Sequence, residues 1–383
     1  MRKYRVGIVG SGVISRTYIA DIQAFYRDLE VVACADIDIA LAQKLASEFN
    51  IPKAYVTENL LKDPDIDIVI NLTPPQFHVA LDRQIIRAGK HLFSEKPFAP
   101  TLQEAREILI LAEEAGVRVG CAPDTFLASG LQSMRYYLDA GIIGKPFFVT
   151  ANMTTFGVET WHPNPATYYK KGSGPIMEMA PYYLAAIVSL LGPIESLLAF
   201  AAQPGGTRRV YVGPRTGTDI PVETPTHYTA ILRLKSGVAV NLNVSFDIYK
   251  SNLPMFEIYG DGGTLAYPDP NFGGGTPSVY RKEQYTDVAY QNNEASLARR
   301  ERFYELPELF PRVKDYSRGI GVLDLAKSID SGEENRTNGP LILHITEAME
   351  GLLRSSETEE LYRMTTTCQR PRPIAAGGFP EQV

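Results

Sequence analysis

The sequence has little of several features that define other protein classes. Its 383 residues include three cysteines, Cys34, Cys121 and Cys368. These are too few and too widely spaced to build a disulfide framework or a zinc-binding pattern. We therefore expect no metal site and a reducing, cytoplasmic setting. No run of about 18 apolar residues occurs either, so the sequence predicts no membrane span.

An excess of charge of one sign is also absent. Lysine and arginine number 38 against 44 aspartates and glutamates, which gives a formal net charge of -6. Such a mildly acidic chain lacks the basic surface that binds nucleic acid or an anionic membrane, so we expect neither partner. The 44% hydrophobic and 21% charged composition is that of a globular protein, and the length favours two domains.

The first part of the chain alternates short strand patterns with helix patterns. The strand patterns cover Val6–Val9, Val31–Ala35, Ile66–Asn71, His91–Ser94 and Val117–Cys121, and the helix patterns cover Ile14–Ala24, Ile39–Phe49, Phe77–Ala88 and Leu102–Ala115. Alternating strands and helices form a parallel sheet with right-handed crossovers. The sequence thus predicts an N-terminal α/β domain over residues 1–122.

From residue 123 the pattern changes to strands joined by tight turns. Two pairs indicate hairpins: Thr226–Leu234 with Val238–Phe246, and Phe256–Tyr259 with Thr264–Tyr267. Further patterns predict a strand at 146–156, helices at 134–140, 182–191, 319–331 and 341–357, and long loops at 204–225 and 271–309. We therefore predict a second α/β domain over residues 123–383 with a mostly antiparallel sheet.

A glycine-rich turn follows the first predicted strand, in the run Gly7-Ile8-Val9-Gly10-Ser11-Gly12-Val13-Ile14-Ser15. Gly10 permits a tight turn, and Gly12 lets the backbone approach a pyrophosphate at the N-terminus of the following helix. Val13 and Ile14 begin that helix and are expected to line the same cofactor site. Ser15 stands in the third position of the fingerprint and is small enough to preserve helix–strand packing. The strand–turn–helix context is the one that a dinucleotide-binding motif requires.

An acidic residue ends the second predicted strand. Asp36 has the approximate spacing from the glycine turn expected of the acid that binds the ribose hydroxyls. Its carboxylate would repel a 2′-phosphate, and Ile37 rather than an arginine follows it, so we predict NAD(H) in preference to NADP(H). The alternative role for Asp36 is that of a helix N-cap.

Two further turns fall at the same carboxyl edge of the predicted sheet. Thr73 and Pro74 close the third strand, with His78 shortly after them, and these three residues are candidates for the cofactor pocket. A rigid turn before a helix is the alternative reading. The next apolar strand delivers Glu95 and Lys96 to this edge. A lysine ammonium placed there could stabilise a developing alkoxide.

Four motifs follow one another along the chain: the glycine turn, Asp36, the Thr73-Pro74-Pro75 turn, and the Gly89-Lys90-His91 strand that ends in Glu95-Lys96-Pro97. In this order they resemble the glucose–fructose oxidoreductase / inositol dehydrogenase / rhizopine catabolism (Gfo/Idh/MocA) family. The resemblance covers essentially the whole chain. It implies an N-terminal Rossmann domain and a C-terminal α/β domain with an open, mostly antiparallel sheet. Members commonly assemble through that sheet, which implies a homodimer or homotetramer. It also implies that Lys96 touches cofactor and substrate hydroxyl and that Glu95 helps to hold Lys96.

The second motif of the family is altered in this chain. After Gly172-Ser173-Gly174, Glu178 stands where the family has an aspartate, and Tyr182 stands where it has a histidine. Pro181 either kinks a helix here or lies in its first turn. A nearby Lys⁺ lowers the pKa of a tyrosine. Our hypothesis is therefore Tyr182 as the proton acceptor, Lys96 as its electrostatic partner and Glu178 as the orienting residue, with His162 as the alternative base.

The aromatic residues Trp161, Tyr168, Tyr169, Tyr182 and Tyr183 lie close together in the sequence and suit a ring that bears many hydroxyls. The predicted function is thus an NAD-dependent oxidoreductase that acts on a sugar, cyclitol or related polyol, with Asp124 as a weaker candidate for substrate contact. Two alternatives stay open. One is an NAD-bound, redox-neutral lyase or hydrolase, and the other is a non-enzymatic, nucleotide-binding regulator.

Overall fold

The computed structural model describes residues 3–286, 302–375 and 378. The chain forms two compact units, which we describe separately. The first takes in the described residues of Met1–Ala128, Phe310–Glu347 and Ile374–Val383, and the second takes in those of Ser129–Leu309 and Ala348–Pro373. The first unit therefore includes 310–347, a segment that the sequence division assigns to the second domain.

The first unit contains a six-stranded parallel sheet. Its strands are Tyr4–Val9 (β1), Leu29–Ala35 (β2), Lys53–Tyr55 (β3), Ile68–Asn71 (β4), His91–Ser94 (β5) and Val119–Cys121 (β6), in the order β3-β2-β1-β4-β5-β6. Its helices are Val13–Phe25 (α1), Ile39–Phe49 (α2), Thr57–Lys62 (α3), His78–Arg87 (α4), Leu102–Glu114 (α5) and Ile320–Ser331, with short 3-10 turns at Pro75–Phe77 and Thr125–Leu127. This is the predicted Rossmann topology. The short β3 and α3 were not predicted.

The second unit contains a nine-stranded sheet. The strands of this unit are Pro146–Thr154 (β7), Ile194–Ala202 (β8), Thr207–Arg209 (β9), Asp219–Pro221 (β10), His227–Leu234 (β11), Ala239–Ser245 (β12), Phe256–Gly260 (β13), Gly263–Tyr267 (β14), Ser278–Arg281 (β15), Tyr304–Glu305 (β16) and Tyr362–Arg363 (β17). The large sheet has the order β16-β15-β14-β13-β7-β12-β11-β8-β17, and β9 pairs with β10 separately. The β7–β12 pair is parallel and the others are antiparallel, so the predicted mostly antiparallel sheet is confirmed.

Both predicted hairpins, β11–β12 and β13–β14, are present. The remaining helices of the described residues are Ser129–Asp139 (α6), Pro175–Glu178 (α7), Ala180–Leu191 (α8), Lys282–Thr286 (α9) and Gly339–Thr358, and 3-10 turns occur at Val158–Thr160 and Pro165–Tyr169. The predicted loop at 204–225 contains the β9–β10 pair. The predicted loop at 271–309 contains β15, α9 and β16, and its residues 287–301 lie outside the described residues.

One face of the nine-stranded sheet is buried and the other is open. Along β11, buried Tyr228, Ala230 and Leu232 alternate with exposed Thr229 and Ile231, as expected for a strand whose two faces differ. Thr229 and Ile231 belong to what we call the open face, formed by Phe148, Thr150, Leu198, Phe200, Thr229, Ile231, Asn241 and Asn243. Within the described part of the chain, no helix has both the length and the apolar character needed to cross a membrane.

Candidate active site

The carboxyl edge of the parallel sheet brings the predicted cofactor residues together. The Gly10 N–H donates to the Ala35 carbonyl at 2.9 Å, which joins the glycine turn to the end of β2. The Glu95 N–H donates to the Asn71 carbonyl at 3.0 Å, which joins the ends of β4 and β5. The glycine turn, Asp36, the Thr73 turn and the Glu95-Lys96 pair therefore follow adjacent strands at one edge, where ligands of such folds bind.

The glycine turn has the geometry that a pyrophosphate requires. Gly10 has φ +105°, and a Cβ there would lie 2.6 Å from the Leu72 carbonyl oxygen, so any other residue would collide with backbone. A Cβ at Gly12 would meet no atom within 4 Å. Helix α1 begins directly after Gly12, with no side-chain cap and no acidic residue in its first turn. The turn thus fits an anion at the helix N-terminus.

Ser15 preserves the packing that the fingerprint needs. It is fully buried, and its hydroxyl donates to the Gly12 carbonyl at 2.7 Å. Val13, one residue into the helix, stays largely exposed, and Ile14 is half-buried.

Asp36 directly follows β2, and its carboxylate is directed at the glycine turn. One oxygen accepts the Ser11 N–H at 2.8 Å and the other accepts the Asp38 N–H at 3.1 Å. Asp38 is the residue that caps helix α2, because its side chain accepts the Ala40 N–H. The alternative reading of Asp36 as the helix N-cap is therefore wrong. Ile37 beside it is 96% exposed.

A buried polar network lies beneath the turn after β4. The Asn71 side-chain oxygen accepts the N–H and the hydroxyl of Thr73, at 3.1 and 2.6 Å, and its amide donates to Asp82 at 2.7 Å. Burial raises the pKa of Asp82 to about 6, although the charge of His78 and the Asn71 hydrogen bond lower it. Pro74 is exposed on the outside of the turn. Sequence reasoning missed Asn71 and Asp82, since only the fold brings them together.

His78 lies inside this turn. The ring is buried, with Nδ1 2.8 Å from the Pro97 carbonyl oxygen and Nε2 2.7 Å from the Thr73 carbonyl oxygen.

Glu95 supports the backbone of the proposed catalytic lysine. One oxygen of its buried carboxylate accepts the Lys96 N–H at 3.0 Å, and the other accepts the Tyr18 hydroxyl at 2.9 Å. Tyr18 is fully buried, and that burial, together with the charge of Glu95, raises the pKa of its hydroxyl well above the usual range. The side chain of Lys96 is half-buried. Tyr18 was missed, although a phenol among the core-facing residues of α1 was a usable signal, because a buried hydroxyl needs a partner.

Asp124 is buried in the first unit. One carboxylate oxygen accepts the N–H groups of Gly319 and Gly321, at 3.2 and 2.8 Å, at the start of the helix Ile320–Ser331. Burial is the main cause that raises the pKa of Asp124. Its carboxylate therefore holds the segment 310–347 in the first unit.

In the second unit, the altered motif is split between two helices. Helix α7 ends at Glu178, Met179 adopts φ -124° and ψ -33°, and α8 begins at Ala180 with Pro181 in its first turn. Of the two roles predicted for Pro181, the first-turn role is the one observed. Glu178 and Tyr182 therefore do not share the face of one continuous helix. Both are buried, and Glu178 accepts the Ser173 hydroxyl at 3.1 Å.

His162 lies on the loop between β7 and α7. Its Nδ1 accepts the Asn164 N–H at 3.1 Å, and its ring packs edge-on against Tyr168 and Trp161. Because Nδ1 accepts, the neutral ring carries its proton on Nε2. In this tautomer Nε2 is a hydrogen-bond donor rather than an acceptor.

A buried charged cluster holds the same loop. Glu159 accepts the Tyr169 hydroxyl and lies 3.5 Å from Arg208, which also pairs with Asp247. The phenol of Tyr169 is thus occupied in the interior, whereas Trp161 is 58% exposed. Sequence reasoning missed Glu159, Arg208 and Asp247, since they come from three distant segments. Among residues 3–286, 302–375 and 378, no cluster of metal-ligating side chains large enough to hold a metal occurs.

Family models match both parts of the chain. The oxidoreductase family with an NAD-binding Rossmann fold matches residues 4–122, and the GFO/IDH/MocA C-terminal domain matches residues 131–266. This chain belongs to the Gfo/Idh/MocA family of oxidoreductases, as its motifs predicted. It is 28% identical over 268 residues to the trans-1,2-dihydrobenzene-1,2-diol dehydrogenase of Bos taurus, an alignment that covers 70% of this chain and 74% of that protein. Several other curated relatives are matched over about half of their own length.

Solved structures share the fold over nearly the whole chain. The WlbA dehydrogenase of Bordetella pertussis, in complex with NADH and UDP-GlcNAcA, has a TM-score of 0.73 at 21% identity, covering 95% of this chain and 98% of that one. A levoglucosan dehydrogenase, in complex with NADH and levoglucosan, has a TM-score of 0.77 at 17% identity, covering 95% and 100%. At this identity, the two structures establish a common fold.

Proposed function

We propose that this chain is an NAD-dependent oxidoreductase that moves a hydride between nicotinamide and a hydroxyl or keto carbon of a sugar, cyclitol or related polyol. The observation that carries the proposal is the row of glycine turn, Asp36, Thr73 turn and Glu95-Lys96 at one sheet edge in a member of this family. The names of its relatives and structural neighbours support a polyhydroxylated substrate, since they include a diol dehydrogenase and complexes of NADH with sugars.

In this proposal the first unit binds the cofactor. Gly10, Gly12, Val13 and Ile14 hold the pyrophosphate at the start of α1, and Asp36 accepts hydrogen bonds from the ribose hydroxyls. Thr73 and Pro74 line the nicotinamide side. Bound NAD supplies the hydride acceptor or donor.

The chemistry at the substrate is assigned to four side chains. The Lys96 ammonium stabilises the negative charge that develops on the substrate oxygen, and Glu95 fixes the Lys96 backbone. Tyr182 accepts the hydroxyl proton and Glu178 orients the site. The Nδ1 hydrogen bond of His162 favours Tyr182 over His162 as the acceptor.

We also place the protein in the cytoplasm as a homodimer or homotetramer. All three cysteines are free and buried, which fits a reducing compartment. The apolar side chains Ile231 and Phe200 on the open face, 55% and 46% exposed, support assembly through that sheet.

Calorimetric titration with NAD⁺, NADH, NADP⁺ and NADPH tests the cofactor site. We expect micromolar binding of NAD(H) and binding of NADP(H) at least about tenfold weaker, because the Asp36 carboxylate repels a 2′-phosphate. Asp36→Asn keeps the shape and removes the charge, so it should abolish most of that preference. Asp38→Asn is the matched control, since asparagine also caps a helix, and it should retain the preference. If the wild type binds no nucleotide, the proposal fails.

Net NADH production separates the dehydrogenase from the redox-neutral alternative. A panel of sugars, cyclitols and polyols is incubated with NAD⁺, and absorbance of NADH is followed together with product analysis. A dehydrogenase accumulates NADH in proportion to product. A lyase or hydrolase converts substrate with no net NADH, and that outcome would replace the proposed activity.

A further inference from the structure

His78 occupies the place where the Thr73 turn meets the segment that carries Lys96. The side chain is 1% exposed, and its two ring nitrogens lie 2.7 and 2.8 Å from the carbonyl oxygens of Thr73 and Pro97. Thr73 follows β4, whereas Pro97 comes directly after Lys96 beyond β5. One buried ring therefore ties the proposed cofactor-binding turn to the proposed catalytic segment.

The chemistry of the two contacts defines the state of the ring. A carbonyl oxygen only accepts hydrogen bonds, so each contact needs an N–H from the imidazole. A neutral ring has one N–H and would leave a nitrogen lone pair facing a carbonyl lone pair. Only the doubly protonated ring donates to both carbonyl oxygens, with the stronger hydrogen bonds of a charged donor.

The surroundings of the ring supply a countercharge. Asp82 lies one helical turn after His78 on α4, is fully buried and accepts a hydrogen bond from Asn71. The Asn71 side-chain oxygen also accepts hydrogen bonds from the N–H and the hydroxyl of Thr73. The network therefore reaches the same turn that His78 contacts. An acidic partner within such a network stabilises a buried cation.

We propose that His78 is a positioning residue: as an imidazolium it clamps the carbonyl groups of Thr73 and Pro97 and thereby sets Lys96 against the cofactor-binding turn. Its effect on catalysis rests on the proposed function, whereas the clamp is a property of the first unit alone. The role replaces direct cofactor contact, because both ring nitrogens are already engaged by backbone.

Nitrogen NMR of the ¹⁵N-histidine-labelled full chain tests the clamp without any substrate. The chain has five histidines, and the His78 ring is assigned as the signal lost in His78→Gln. We expect both ring nitrogens of His78 to carry protons at pH 7. A ring with one unprotonated nitrogen would overturn the proposal, whether or not the protein proves to be a dehydrogenase.

Kinetics of His78→Gln test the consequence for Lys96. Glutamine can donate to one carbonyl and would turn its own oxygen towards the other. His91→Gln is the matched control, because His91 lies at the opposite end of β5, where its ring accepts the Arg118 N–H. Both variants are compared with the wild type for NADH binding and for NAD⁺ reduction with the most active polyol of the panel.

If His78 acts by positioning Lys96, its replacement should affect kcat much more than KM or the Kd of NADH. In His78→Gln we expect kcat to fall by about 100-fold, as for a displaced catalytic group, while KM and the Kd of NADH change by less than about threefold. His91→Gln should stay near the wild type in all three. Equal losses in both variants, or a loss confined to NADH binding, contradict the proposal. If the wild type neither binds NADH nor reduces NAD⁺, the proposed function fails, and the NMR result still decides the clamp.

Discussion

At the scale of single residues, one hydrogen bond of His162 bears on the choice between the two candidate proton acceptors. The ring of His162 already accepts the Asn164 N–H at Nδ1, so its other nitrogen carries the proton. Tyr182 is the proton acceptor of the proposed mechanism. We expect Tyr182→Phe to lower kcat by about 100-fold or more, as for the loss of a general base, and His162→Gln to lower it by less than about tenfold. Steady-state NAD⁺ reduction measures both.

Tyr183→Phe is the control for this comparison. It removes the same hydroxyl from the neighbouring residue, where the phenol donates to Asp269 at 2.9 Å. The kcat of Tyr183→Phe should stay within about threefold of the wild type, because the Tyr183 hydroxyl bonds to Asp269 and has no part in the proposed mechanism. A larger loss in His162→Gln than in Tyr182→Phe would assign the base to His162.

Asp82 makes stability depend on pH. Its pKa is raised from 3.8 to about 6 in the folded chain, mainly by burial, so the folded state holds a proton between these values that the unfolded state has released. Stability is therefore highest below about pH 4 for this group and falls as pH rises through about 6, by at most about 3 kcal/mol. Asp82→Asn should flatten this part of the profile.

Urea unfolding of wild type and Asp82→Asn at several pH values between 4 and 7 measures the difference. Subtraction of the two curves removes the contribution of groups that titrate alike in both, and leaves that of Asp82 together with its coupling to His78. A difference curve that is level, or that rises with pH, would contradict the raised pKa.

At the scale of elements, a buried lysine secures the turn before β4. The Lys90 ammonium donates to the Asp63 and Ile66 carbonyls at 2.6 and 2.8 Å, and burial lowers its pKa. Lys90→Met keeps the apolar stem but leaves these carbonyls without that donor. We expect a loss of about 2–4 kcal/mol in the free energy of unfolding, from denaturant titration. Lys62→Met, at an exposed lysine, should change it by less than about 0.5 kcal/mol.

The elements also show where sequence periodicity succeeds. Helix α2 and strand β5 begin and end where their patterns do, because a helical period over eleven residues and a run of three buried residues leave little choice. The three residues of β3 and the six of α3 are too short to establish a period. The break at Met179 is one of two outcomes compatible with Pro181, and only the structure shows which of them occurs.

At the scale of the whole molecule, assembly can be tested through the open face. Ile231 on this face is 55% exposed, as is Ile110 on α5 of the first unit. If the sheet forms the subunit contact, Ile231→Lys should weaken association by at least about tenfold, because a charge would be buried there, while Ile110→Lys should not. Light scattering after size-exclusion chromatography, over a range of concentrations, gives the mass. A wild type that is monomeric throughout would refute this assembly.

The sequence by itself determined the Rossmann topology, the mostly antiparallel second sheet and the family. Each of these rests on local patterns: strand–helix alternation, short turns, and motifs such as Gly10-Ser11-Gly12 and Glu95-Lys96-Pro97, each of which directly follows a strand. The candidate residues at the sheet edge followed from the same logic, since parallel strands all end at one side.

Only the tertiary structure decided which groups support those residues. The Tyr18 hydroxyl donates a hydrogen bond to Glu95, 77 positions along the chain. Asp124 accepts the Gly321 N–H, 197 positions along, because the segment 310–347 belongs to the first unit. Likewise, the two carbonyls that flank His78 come from different turns. Such contacts join segments with no common period or motif. Their partners are selected by the need to satisfy buried polar groups, which arises only once the chain has packed.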